Sequence, residues 1–116
     1  MSKRVLIHGA DPTLLETRRR ILSLDGIAAE TVLNGSIMVD LIRAKRPDLL
    51  IVCSSLPLDL QQRDVRAASA VRPKVRCLVL APHRHTGSEI SDADTVVHPF
   101  DGPERFVSEV RKLLSS

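Results

Sequence analysis

Aromatic side chains are nearly missing from this chain, which has two phenylalanines and no tryptophan or tyrosine. A surface for single-stranded nucleic acid stacks bases on such rings beside its positive charge, so no nucleic-acid partner is expected. No apolar run approaches the roughly 18–20 residues that cross a bilayer, and no membrane partner is expected either. The opening Met-Ser-Lys-Arg-Val-Leu-Ile lacks the apolar stretch and the small-residue cleavage site of a signal peptide. A cytoplasmic address is therefore expected. Two cysteines, Cys53 and Cys77, are too few for a disulfide framework. Both lie in apolar, strand-like runs, where cysteine acts as a small buried hydrophobe. Charge of one sign is scarcely in excess, with 17 basic against 14 acidic residues and a net +3. The basic residues are scattered in three clusters, Arg18 to Arg20, Arg43 to Arg46 and Arg72 to Arg76, and read as solvated surface.

What is present is the balance of a globular protein, 43% hydrophobic and 27% charged. The length of 116 residues suits one domain, residues 1–116, with one core. Arg4 to His8 reads as a short buried strand. Asp11-Pro12 is an N-cap and N1 pair, and Leu14, Leu15, Ile21 and Leu22 form one apolar helix stripe that stops at Asp25-Gly26. Ala28 to Leu33 is a second, more exposed strand, and Asn34-Gly35 turns the chain into a helix marked by Met38, Val39, Leu41 and Ile42, ending near Arg46-Pro47. Asp48 to Cys53 is apolar without alternation, the pattern of a central parallel strand covered on both faces. A weaker helix is expected from about Leu60 to Val71, then strands at Val75 to Leu80 and Thr95 to Val97. Asp101, Pro103 and Glu104 start a last helix, whose apolar face is Phe106, Val107, Val110, Leu113 and Leu114. Alternating strands and helices with short connections predict an α/β fold, a parallel sheet with helices on both faces.

Three stretches resemble the receiver domain of bacterial response regulators. They are Lys3 to Ile7 with Asp11-Pro12; Arg46 to Val52 followed by Leu56-Pro57; and His98-Pro99-Phe100-Asp101. The resemblance covers nearly the whole chain. It implies a flavodoxin-like fold of five parallel strands in the order 2-1-3-4-5, with a site at the C-terminal strand ends, a cis His98-Pro99 bond, and a place in two-component or phosphorelay signalling. Ala81 and His98 are only 17 positions apart, fewer than the family's usual interval. His83 to Asp92 also lacks apolar periodicity, so the helix between the fourth and fifth strands is expected to be shortened or missing.

Receivers accept a phosphoryl group on an aspartate. The step needs that carboxylate, an acidic pair holding Mg²⁺, and a hydroxyl and a lysine on the phosphoryl oxygens. At the positions that match, this chain has Cys53 for the nucleophile, Gly9 and Ala10 for the acidic pair, Ala81 for the hydroxyl and His98, before Pro99, for the lysine. Asp11 stands nearby but outside the pair. Taken with the resemblance, these residues describe a vestigial phosphoacceptor pocket in a degenerate receiver, or pseudo-receiver. Such a domain has no catalytic residue, metal or cofactor, and works by docking to other signalling proteins. The face of the last helix, with Arg105, Arg111 and Lys112, is the candidate contact surface, and a homodimer through it is the second partner expectation.

Three other readings stay open. Cys53 beside His98 would make a redox-sensing thiol if it were exposed and its pKa lowered. His8, His98 and Cys53 are soft metal ligands, but their spacing is no zinc motif, and His8 is expected to point into the core or at a helix. A flavodoxin-like ligand-binding domain or enzyme would want a glycine-rich loop after the first strand, where His8-Gly9-Ala10-Asp11 supplies one glycine. A Cys53–Cys77 disulfide is not expected, because Cys77 should lie about four residues, roughly 13 Å, back along the neighbouring strand. The partner, the oligomeric state and whether the chain is part of a longer regulator are not legible.

Overall fold

A computed structural model describes residues 3–33, 35–81, 93–98 and 101–115. Apolar runs form the strands β1 (Val5–His8), β2 (Ala29–Val32), β3 (Leu49–Val52), β4 (Arg76–Leu80) and β5 (Thr95–Val97). They make one parallel sheet in the order β2-β1-β3-β4-β5. The helices among the described residues are α1 (Pro12–Leu24), α2 (Met38–Lys45), α3 (Leu58–Ala70) and α4 (Pro103–Ser115), with a 3-10 turn over Gly35–Ile37. The expected helix between β4 and β5 would fall on residues 82–92, outside the described ones.

Strands β1 and β3 are buried along their whole length, because helices cover both faces of the sheet. On one face Leu6, Leu50, Val52 and Val79 pack with Met38 and Ile42 of α2 and Val65 and Ala68 of α3. On the other, Val5, Ile7, Ile51, Cys53 and Leu78 pack with Leu15 and Leu22 of α1 and Phe106 and Val110 of α4. The period-two alternation of strand side chains sorts neighbours to opposite faces. It puts His8 on the side of Leu6 and sends Cys53 and Cys77 to different cores.

The ends follow the sequence with three shifts. The Asp11 carboxylate caps α1 by accepting from the N–H groups of Thr13 (2.9 Å) and Leu14 (3.2 Å). Helix α3 starts at Leu58 rather than near Leu60, because Pro57 already sets the entry with φ −58°. Gly102, not Asp101, supplies the first helical carbonyl of α4, accepting from Phe106 N–H at 3.3 Å. Gly102 sits at φ +94°, where glycine bears no Cβ penalty, while Asp101 N–H turns back to His98 O at 2.9 Å. The thiols are offset by three residues rather than four, since Cys77 lies opposite Leu50. Both cysteines are free and buried.

Candidate functional site

The C-terminal ends of β1, β3 and β4 bring Gly9, Ala10, Cys53 and Ala81 to one end of the sheet, as parallel strands in register require. Cys53 has no exposure to solvent. Its N–H donates to His8 O at 2.9 Å. Its carbonyl accepts from the Gln61 side chain of α3 at 3.0 Å, and the same Nε2 donates to Leu56 O at 3.1 Å. Buried Gln61 thus clasps the loop that leaves β3.

Ser55, in that loop, reaches across to the β1–α1 connection, where its Oγ accepts from Ala10 N–H at 2.9 Å. The contact crowds Gly9. A Cβ there would stand 3.0 Å from Ser55 Oγ, 3.1 Å from the Cys53 Cβ and 3.1 Å from a Leu15 methyl. A side chain at position 9 would need these neighbours to give by a few tenths of an ångström. The Asp11 carboxylate, two residues on, is engaged as the α1 cap.

Burial pushes the Cys53 thiol up to about 11, and the Arg18 guanidinium, brought in by α1, offsets only part of the shift. One Arg18 terminal nitrogen, Nη1, is buried without a hydrogen-bond partner among the described residues. A reactive thiol needs the reverse, exposure and a lowered pKa. On the far side of β4, Ala81 N–H donates to Val97 O at 3.0 Å. His98, half-buried, places Nδ1 3.3 Å from Ala81 O, a contact in which the ring nitrogen donates. Pro99 and the expected cis bond lie outside the described residues.

His8 does not join Cys53. Its ring lies on the other face of the sheet, where Nδ1 meets the Asp64 carboxylate of α3, both side chains fully buried. Asp64 also accepts from Arg63 Nη2 at 3.0 Å, and that nitrogen donates to Gly35 O at 2.9 Å. The convergence of His8, His98 and Cys53 weighed from the sequence is therefore absent, with His8 and Cys53 on opposite faces. No cluster of three or more His, Cys, Asp or Glu side chains suited to a metal occurs among the described residues. Sequence reasoning missed both the Asp64 network and Arg18. Asp64 shows one signal, an acid on the apolar stripe of a helix, with Val65 and Ala68.

The α4 residues are less free than their sequence implies. Arg111 crosses to the Asp25 carboxylate at the end of α1, while Arg105 and Lys112 share Glu109 at 3.2 and 3.5 Å. Arg111 and Lys112 line a cleft of about 570 Å³ between α1 and α4, floored by Ile21 and Val107.

No protein-family model matches the chain, and no curated protein matches it. Solved structures do. A response regulator protein from Thermotoga maritima, in complex with Mg²⁺ and beryllofluoride, is similar at 22% identity and TM-score 0.82, covering 97% of this chain and 99% of that one. A CheY-like response regulator receiver domain protein from Methanospirillum hungatei is similar at 18% identity and TM-score 0.79, over 99% and 95%. A pilus assembly-related protein from Burkholderia pseudomallei is similar at 12% and TM-score 0.81, over 97% and 90%. At these identities the likeness shows the fold, a single α/β domain of the CheY-like receiver type. No described helix is long and apolar enough to cross a membrane.

Proposed function

We propose that this chain is a pseudo-receiver, a signalling domain of the receiver type that acts by docking to other proteins without being phosphorylated and without catalysing a reaction. Fold alone does not choose among outputs, and the similar structures include both response regulators and a pilus assembly-related protein. The observation that carries the reading is the closed end of the sheet. A fully buried thiol stands where the resemblance puts the phosphoacceptor, and the space beside Gly9 is filled by Ser55, Cys53 and Leu15. Mg²⁺ demands several hard oxygen ligands, and the Asp11 carboxylate that follows β1 holds a helix end instead. The redox reading loses support from the same facts, since Cys53 is buried and its thiol raised to about 11.

The proposed contact surface is the α4 side, and its occupant a second copy of the chain. The α1–α4 cleft carries Asp25 and Glu104 beside Arg111 and Lys112 around an apolar floor. A two-fold contact needs such a self-complementary lining. Leu24, 90% exposed, stands at its edge.

The test of the pseudo-receiver reading is to add Mg²⁺ with beryllofluoride or acetyl phosphate and follow backbone amide shifts. No saturable change is expected at Gly9, Ala10, Cys53 or Ala81. Saturable, Mg²⁺-dependent shifts there would overturn it.

A further inference from the structure

The opposite end of the sheet holds a feature that the docking reading did not use. Two clefts open at the N-terminal strand ends. One, of about 460 Å³, is lined by residues that include Lys3, Arg4, Lys45, Arg46, Glu30 and Asp48. The other, of about 260 Å³, shares Lys3, Arg46 and Asp48 and adds Lys74 and Arg76. Because they share residues, the two form one continuous floor. Six basic and two acidic side chains line it, a net of +4. The whole chain carries +3, so everything outside the floor nets −1. Two of the three clusters that look scattered in the sequence send side chains to it, Lys45 and Arg46 from one and Lys74 and Arg76 from another, because every strand of a parallel sheet starts at the same end.

Part of this charge has local work. Helices α2, α3 and α4 all end near here, and cations complement helix C-termini. Arg46 donates to Arg72 O at 3.1 Å, and Arg76 reaches Leu113 O. Lys45 faces Glu30 at 3.4 Å and Lys74 faces Asp94 at 3.1 Å, both exposed pairs open to competition. The side chains of Lys3 and Arg4 have no acidic partner among the described residues. The Asp48 carboxylate accepts from the Arg4 backbone N–H at 2.7 Å.

We infer that this floor is a docking surface for an acidic polypeptide segment of a partner protein, lying in extended form across both clefts. Alternate side chains of such a segment recur about every 7 Å. Its carboxylates can therefore meet separate cations and step past Asp48 and Glu30. A duplex, with one charge per roughly 1.7 Å of axis, cannot avoid those two acids, and neither cleft offers an aromatic ring on which a base could stack. A second copy of this chain is a poor occupant, since its remaining surface nets only −1. The inference rests on the docking reading, but that reading is tested with Mg²⁺ and beryllofluoride, so the two can fail separately.

The experiment titrates the full chain into a short fluorescein-labelled peptide of alternating Glu and Ser and reads fluorescence anisotropy. Saturable binding that weakens with added salt is expected. The Lys3→Gln/Lys74→Gln variant should weaken it about tenfold, whereas Arg19→Gln/Arg20→Gln, which removes the same charge from α1, should leave it within about twofold. Lys3, Lys74 and Arg20 are exposed and Arg19 is half-buried, and a matching thermal melt verifies folding of both variants. Equal weakening by the two variants, or no saturation, overturns the inference. Tighter binding of a DNA duplex or of phosphatidylserine vesicles than of the peptide overturns the assignment to an acidic polypeptide.

Discussion

His8 and Asp64 form a fully buried pair that ties the end of β1 to the middle of α3, and Arg63 extends it to the Gly35 carbonyl. Removing one member leaves the other buried without its partner. Asp64→Ala should cost about 3–5 kcal/mol. Replacing both, as His8→Val with Asp64→Leu, should cost less than the two single changes together by about 1–3 kcal/mol. Urea denaturation of the four chains measures the difference, and strictly additive costs would show that the two side chains do not support each other.

The crowding at Gly9 has a direct measure. Gly9→Ala forces a methyl against Ser55 Oγ, Cys53 and Leu15 and should destabilise by about 1–3 kcal/mol. Adding Ser55→Ala removes the nearest atom, and solvent takes over the exposed Ala10 N–H, so the penalty should shrink. An unchanged penalty in that background would place the obstacle elsewhere.

Burial raises both thiols, Cys53 to about 11 and Cys77 to about 12, from an unperturbed 9.0. Below pH 9 both states of the chain keep these protons and stability does not respond. Between pH 9 and about 11 the unfolded chain ionises while the folded one does not. The unfolded state then binds fewer protons, and stability falls as pH rises, by about 1.4 kcal/mol per pH unit per thiol. Denaturant midpoints at pH 8, 9, 10 and 11 should show this decline, and Cys53→Ala/Cys77→Ala should flatten it. At pH 8, Ellman's reagent should label the chain only once it is unfolded, and rapid labelling of the native protein would contradict the burial described.

Arg46 ends α2 at φ 43°, a left-handed position that favours glycine. A side chain there costs about 1 kcal/mol, offset in part by its bond to Arg72 O. Arg46→Gly should leave stability within about 1 kcal/mol of the parent while weakening the acidic peptide. A larger loss of stability would mean that the arginine serves the fold rather than the floor.

If copies of the chain meet through the α1–α4 cleft, Leu24→Glu should abolish self-association in sedimentation and leave the melting temperature unchanged, since Leu24 is 90% exposed. A parent chain that stays monomeric at millimolar concentration would dismiss the dimer.

Much of the fold was legible because its signals are local. Asp11-Pro12 marked the start of α1, Asp25-Gly26 its end, and the unbroken apolar run before Cys53 the central strand. The boundaries that moved depend on single backbone angles, Pro57 at the start of α3 and Gly102 before α4. Gly9, Ala10, Cys53 and Ala81 at the strand ends were named from the sequence, but the contacts around them were not, because Ser55 on Ala10 and Gln61 on Cys53 join separate loops and elements. The Asp64 network was hidden for the same reason, as an acid 56 residues from its histidine has no short-range signature. The gathering of Lys45, Arg46, Lys74 and Arg76 at one end of the sheet was not legible, because proximity along the chain says nothing about which ends a parallel sheet collects.

The outermost strands are brief, four residues in β2 and three in β5. An open sheet recruits further chains through the unpaired backbone of its flanks, and flanks this short present few such groups. Growth by strand addition is therefore a poor route for this domain, and whatever assembles with it must be recognised by side chains, residue by residue, rather than by a continued ladder.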